Sequence, residues 1–137
     1  MLLLICSLFT YSLSPPAPQD IVGTWVNSEQ NAHIEIYRDG DTYAGKIVWL
    51  KEPTNDQGEP WRDRNNPDES LQGRTIMGMP VLTGLRYDDG EYVDGTLYSA
   101  KQGGYADCDA ELKSPDELEL SISYSWLFST TRTWTRL

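Results

Sequence analysis

The sequence predicts an all-β domain: a single eight-stranded antiparallel barrel in up-and-down order. Three observations carry that expectation. Apolar and polar residues alternate with period two in several segments from Asp20 onwards, as where one face of a sheet is buried. Turn signals, "DGD" at 39–41, "DDGE" at 88–91, "KQGG" at 101–104 and "SPDE" at 114–117, fall between these segments at hairpin spacing. No segment reads as a long amphipathic helix. A sandwich would share these signals, but consecutive hairpins favour a barrel, because closure removes exposed edges.

The strands follow in order. "VGTWVNS" (22–28) is short. "AHIEIYR" (32–38) puts Ala32, Ile34 and Ile36 on one face and His33, Glu35 and Tyr37 on the other. "TYAGKIVWL" (42–50) follows a tight turn. "GMPVLTGLRYD" (78–88) has its proline near the start, where a strand tolerates one. "EYVDGTLYS" (91–99), "YADCDAELK" (105–113), "LELSISY" (118–124) and "TTRTWTRL" (130–137) complete the eight. There is no internal repeat and no second domain.

Residues 1–19, "MLLLICSLFTYSLSPPAPQ", are different and carry no charged side chain. The run from Leu2 to Leu13 has the length of a signal-peptide core. It is shorter than the roughly 20 residues that span a bilayer. "SPPAP" then breaks any helix. The expectation is a secretory signal peptide over 1–19, ending near Ala17 to Gln19, and a mature domain over 20–137. That domain would be secreted or periplasmic and would have no transmembrane segment.

All 11 basic and 21 acidic residues lie in 20–137, so the net charge of -10 belongs to that domain. This argues against nucleic acid and anionic membrane surfaces as partners, because both need basic patches. Cys6 would leave with the leader. Cys108 alone makes no intramolecular disulfide, so the core must hold the fold.

Residues 51–73 interrupt the alternation, and "DRNNPDESLQGR" (63–74) is their densest part. Asn66 suits an N-cap, Pro67 a first helical position, Glu69 the capping-box position and Gly73 a helix end. Together they predict a short helical turn over 67–72. The alternative is a cation site from Asp56, Asp63, Asn65, Asp68 and Glu69, since hard cations take oxygen ligands. The spacing does not fit the D-x-[DN]-x-[DN]-G loop, and caps explain the composition more simply. No metal and no cofactor are expected.

Six segments resemble the domain-of-unknown-function 2147 family: "GTW" at 23–25, "GKIVWLK" at 45–51, D-x-x-N-P-D-x-x-L-x-x-R at 63–74, GxPVLTGLRY at 78–87, "DGTLY" at 94–98 and "TRTWTRL" at 131–137. The resemblance covers nearly all of 20–137. It implies a small secreted bacterial protein with a lipocalin-like (calycin-like) barrel and no settled biochemical role. The chain departs from the family pattern at "YSAKQGGY" (98–105) and "SISYSWLFS" (121–129).

In an up-and-down barrel the first and last strands are neighbours. Gly23 and Trp25 then meet Arg136 at the closed end, where a guanidinium over an indole contributes about 0.5–2 kcal/mol. This resembles the G-x-W-plus-Arg closure of the lipocalin and fatty-acid-binding superfamily. Arg132 and Trp134 share a face with Arg136. If that face points inward, they line a cavity. Arg132 would then need a partner. That partner is a protein carboxylate or the head group of an anionic ligand; the remaining alternative is an outward, solvated Arg132. Trp49, Tyr98, Tyr124 and Trp126 are the candidate aromatic walls, with ordinary core packing as their other reading. Ala106, Cys108 and Ala110 make the inner face of the sixth strand small, which leaves room inside.

Catalytic signals are weak. His33 is the single histidine and sits on a polar face, and there is no glycine-rich phosphate loop. Three functions stay open. The first is a binding protein for a small apolar or amphipathic molecule, an anionic one included. The second is a cell-envelope structural or interaction protein with a filled barrel and a protein partner the sequence does not identify. The third is a hydrolase or isomerase using carboxylates at the barrel mouth.

Overall fold

The computed structural model describes residues 14–137, so the apolar run Leu2 to Leu13 lies outside the described residues. Eight antiparallel strands, β1 (Gly23–Val26), β2 (Ala32–Asp39), β3 (Thr42–Leu50), β4 (Pro80–Asp88), β5 (Glu91–Ser99), β6 (Gly104–Ser114), β7 (Glu117–Ser123) and β8 (Ser129–Arg136), close in sequence order into one barrel. The closing pair sets Trp25 opposite Arg136 and Val26 opposite Thr135. Every expected strand is present.

Alternation places the core as the sequence dictates. Ala32, Ile34 and Ile36 of β2, Ala106, Cys108 and Ala110 of β6, and Leu118, Leu120 and Ile122 of β7 are buried. Tyr105, Asp107 and Asp109, the residues between, face water. Part of the space left by the small β6 residues is taken by Leu85. A Cβ on Gly95 would lie 2.7 Å from Leu85 Cδ2 and 2.9 Å from the Cys108 carbonyl oxygen, so glycine is what lets Leu85 in. The half of the barrel towards the chain termini is therefore packed solid, with Trp25, Ile36, Leu85, Tyr92 and Leu118 fully buried.

The segment before β1 seals that end. A 3-10 turn over Pro18–Ile21 buries Ile21. The Tyr92 hydroxyl donates to the carbonyls of Ala17 (3.2 Å) and Pro18 (2.9 Å), and the Tyr87 hydroxyl donates to that of Pro16. The expected leader boundary near Ala17 to Gln19 thus falls within a stretch that the barrel holds.

The β3–β4 connection crosses the other, open end. Two isolated bridges, Thr54 to Pro60 and Arg62 to Thr75, shape it. Its helical turn is shorter than expected, Glu69–Leu71, and the cap differs. Asp68, not Asn66, is the N-cap: its carboxylate accepts from the Ser70 N–H (3.0 Å) and hydroxyl (2.7 Å). Pro67 precedes the cap, and Glu69 opens the turn instead of closing a capping box. The reason is that the Asn66 side chain is engaged elsewhere. Its amide oxygen accepts from the Asp68 N–H (2.8 Å), its amide nitrogen donates to Asp63 (2.9 Å), and it is buried.

Candidate functional site

The two barrel ends differ in what their polar side chains do. At the closed end, Arg136 is fully committed. Its guanidinium stacks 4.3 Å from the Trp25 ring centroid and donates to the carbonyls of Pro115 (2.9 Å), Val22 (3.0 Å) and Asp20 (2.7 Å). The Trp25 indole N–H donates to the Ile21 carbonyl at 2.9 Å. Gly23, at φ +142°, leaves the room this arginine needs: a Cβ there would lie 2.5 Å from Arg136 Nη1. Gly23, Trp25 and Arg136 are thus brought together at the base. A crevice of about 670 Å³ lies beside them, between residues 14–16 and the β6–β7 turn. Its charged lining is already engaged: Arg136 with the carbonyls, Lys113 with Glu111 (3.3 Å), and Asp20 with the Ala17 N–H (2.7 Å).

At the open end a cavity of about 340 Å³ descends between the β1–β2, β5–β6 and β7–β8 turns. Its walls are apolar, formed by Ile34, Ile47, Val81, Ile122 and Trp134. Its charged lining is Arg132, Lys101 and Glu29, one net positive charge in a strongly acidic chain. Arg132 pairs in register with the buried Leu120, so it shares the inward face with Trp134, which pairs with Leu118. Among the described residues its guanidinium donates only to the Thr130 hydroxyl (3.2 Å) and the Thr131 carbonyl (3.3 Å). No carboxylate pairs with it among the described residues. Arg132 thus stands at the cavity mouth with its side chain exposed, and it makes no internal ion pair among the described residues.

Tyr98 and Tyr124 also line the cavity, Tyr98 buried and Tyr124 half-exposed at the rim. Two expected wall residues do not. Trp49 lies outside, its ring stacked 4.3 Å from that of His33. The cause is a bulge: His33 pairs with Trp49 but Ile34 with Ile47, so Val48 is an extra residue and the alternation shifts. Trp126 sits in the β7–β8 turn and points to solvent.

Behind the Tyr98 wall lies the arrangement that residues 63–74 build. The Asp63 carboxylate is fully buried and accepts from the Tyr98 hydroxyl, from Asn66 Nδ2 (2.9 Å) and from Arg74 Nε (2.9 Å). Burial pushes its pKa up, but the hydrogen bonds from Tyr98, Asn66 and Arg74, with the Arg74 charge, outweigh that and hold it below the usual carboxylate range. The phenol of Tyr98 moves the opposite way, to about 12, through burial first and then its bond to Asp63. Asn65 ties the same loop to the β5–β6 turn, donating to the carbonyls of Ala100 (3.3 Å) and Lys101 (3.1 Å). The acidic stretch is thus a strut that fixes one cavity wall. The cation reading fails for Asp63, whose oxygens are already taken. Among the described residues no group of three or more His, Cys, Asp or Glu is placed to hold a metal ion.

Sequence reasoning missed this strut and the place of Lys101. The signal was present in the opposite charges of Asp63 and Arg74 at the two ends of the motif, with the Asn66-Pro67 step and the Glu69–Leu71 turn folding the chain back between them.

Cys108 faces the core, and burial, with a smaller contribution from Asp109, pushes its thiol up to about 12. Native protein at about pH 8 should therefore resist thiol alkylation at Cys108, while denatured protein is labelled there; peptide mass spectrometry distinguishes the two.

Residues 23–136 match the family model described as "Uncharacterized protein conserved in bacteria (DUF2147)". The chain belongs to this family. Among solved structures, the DUF2147 barrel is similar to protein HP1028 from the human pathogen Helicobacter pylori, which is described as belonging to the lipocalin family. The two share 21% identity at a TM-score of 0.71, over 92% of this chain and 84% of that one. The fold is accordingly lipocalin-like. No curated protein matches the chain.

Proposed function

We propose that this DUF2147 barrel is a binding protein for a small amphipathic anion and acts outside the cytoplasm, secreted or periplasmic. The observation that carries this is the unpaired guanidinium of Arg132 above an apolar cavity in an otherwise acidic chain. Arg132 is exposed at the cavity mouth, where its planar fork suits a carboxylate or phosphate. The ligand's apolar part would rest on Ile34, Ile47, Val81, Ile122 and Trp134. Its charged head would meet Arg132, with Lys101 at the rim. A volume near 340 Å³ is at the low end for small-molecule sites, which sets the ligand's size. The extracellular placement rests on the uncharged leader over 1–19. The reading is non-catalytic: His33 is engaged with Trp49 on the outer face, Cys108 is buried, and Asp63 is already hydrogen-bonded.

Calorimetric titration with octanoate and with octanol tests it. Octanoate should bind, and Arg132→Ala should weaken it roughly 10- to 100-fold, the worth of a charge-assisted hydrogen-bond pair. Octanol should bind more weakly and be indifferent to Arg132→Ala. Equal loss of both ligands, or no octanoate binding at all, would refute the role given to Arg132.

A further inference from the structure

The open end carries a second feature, which the cavity does not use. Trp126, Leu127 and Phe128, at the tip of the β7–β8 turn, are 92%, 63% and 68% exposed. Turns of this length are normally polar, and large apolar side chains grouped in solvent mark an interaction surface. The turn also meets much of its own backbone hydrogen-bonding need. The Tyr124 N–H donates to the Phe128 carbonyl (2.9 Å), the Phe128 N–H to the Ser125 carbonyl (3.3 Å), and the Leu127 N–H to the Ser125 hydroxyl (3.2 Å). A segment entering an apolar medium has to satisfy its backbone in this way.

Two further observations narrow the partner. From Leu120 to Leu137 there is no Asp or Glu, and Arg132 is the charged side chain of this stretch on the tip's side, Arg136 being held at the closed end, in a chain whose net charge is -10. Of the five tryptophans, Trp25 and Trp134 are buried, and the three exposed ones all belong to the open end. Trp49 ends β3, Trp61 lies in the β3–β4 connection and Trp126 forms the tip. Tryptophan is the side chain enriched where protein meets a membrane–water interface, and these three share one end of the barrel.

We propose that the β7–β8 tip docks the open end of the barrel on a zwitterionic phospholipid bilayer. Trp126, Leu127 and Phe128 enter the boundary between head groups and acyl chains. Arg132 lies three steps along β8 from Ser129, about 10 Å at most. Interfacial apolar groups lie roughly 5–10 Å deep, so Arg132 arrives at the level of the phosphates. The surface is zwitterionic and not anionic because the carboxylates of residues 51–73 sit at the same end and oppose negative charge. Docking stands on the tip and does not require the cavity to be occupied.

Flotation of the protein with phosphatidylcholine vesicles tests this. Wild type should rise with the vesicles. Trp126→Ser and Leu127→Ser, made separately on this exposed turn, should each lower the partition coefficient, the Trp variant by about tenfold or more. Replacing part of the lipid with phosphatidylglycerol should weaken binding at low salt and not strengthen it. Octanoate affinity of Trp126→Ser should stay at the wild-type value, which separates this proposal from the cavity's role. Wild type left in the soluble fraction, or variants that float as well as wild type, would overturn the proposal. So would concentration-dependent dimers abolished by Trp126→Ser without any vesicle binding, since a second copy would then be the tip's partner.

Discussion

Trp25→Ala should destabilise the barrel by about 4 kcal/mol, the usual range for deleting a fully buried tryptophan. Trp25 has no exposed surface, so the transfer and cavity costs both apply. The substitution also removes the ring beneath Arg136 and the indole bond to Ile21. Arg136 joins the β6–β7 turn to the residues before β1 through three carbonyls, and without its platform this clamp loosens. For a domain of this size the melting temperature should fall by roughly 15 °C. Urea unfolding monitored by circular dichroism measures the loss. A cost under about 1 kcal/mol would mean that the base is not held by this pair.

Asp63→Asn should cost about 3 kcal/mol, because removing one partner of a buried ion pair strands the other. Arg74 loses its counter-charge, and the Tyr98 hydroxyl and Asn66 amide face a group that no longer only accepts. The pH dependence has a definite sign. The folded-state pKa of Asp63 lies below its ordinary value of 3.8, so the stabilisation is fully present above about pH 4. It is lost as pH falls through the lowered folded value, when the native carboxylate takes up its proton. Wild type should therefore lose stability on acidification below about pH 4 more steeply than Asp63→Asn, and the two acid titration curves should converge. Parallel curves would show that Asp63 is not the titrating group. Tyr98→Phe removes a single hydrogen bond but leaves the buried charge one donor short, so about 1–2 kcal/mol is expected.

Most of the fold was legible because barrels obey local rules. Period-two alternation fixed which face of β2, β6 and β7 is buried, and turns of two to five residues fixed their neighbours. Trp25 over Arg136 was legible for the same reason: a barrel closed in sequence order places the start of its first strand beside the end of its last. Arg132 and Trp134 followed by counting in twos from Arg136. Legibility ended where the period broke. The bulge at His33 and Ile34 turned Trp49 outward, and no residue in β3 announces an extra residue there. The helical cap was misplaced because local rules alone favour Asn66. The contact that decides its role is a bond to Asp63, which in turn reaches Tyr98, 35 positions away. Long-range pairing of that kind leaves no periodic trace.

Native mass spectrometry of the protein isolated from its native source tests the binding role most directly. The expected spectrum shows one small added mass that is lost on denaturation. The mass should be absent from Arg132→Ala protein that melts at the wild-type temperature. A bare wild-type mass, together with no uptake of octanoate, would contradict a ligand-carrying barrel. The open cavity would then be a packing remainder above a filled core, and the exposed tip would become the place to look for function.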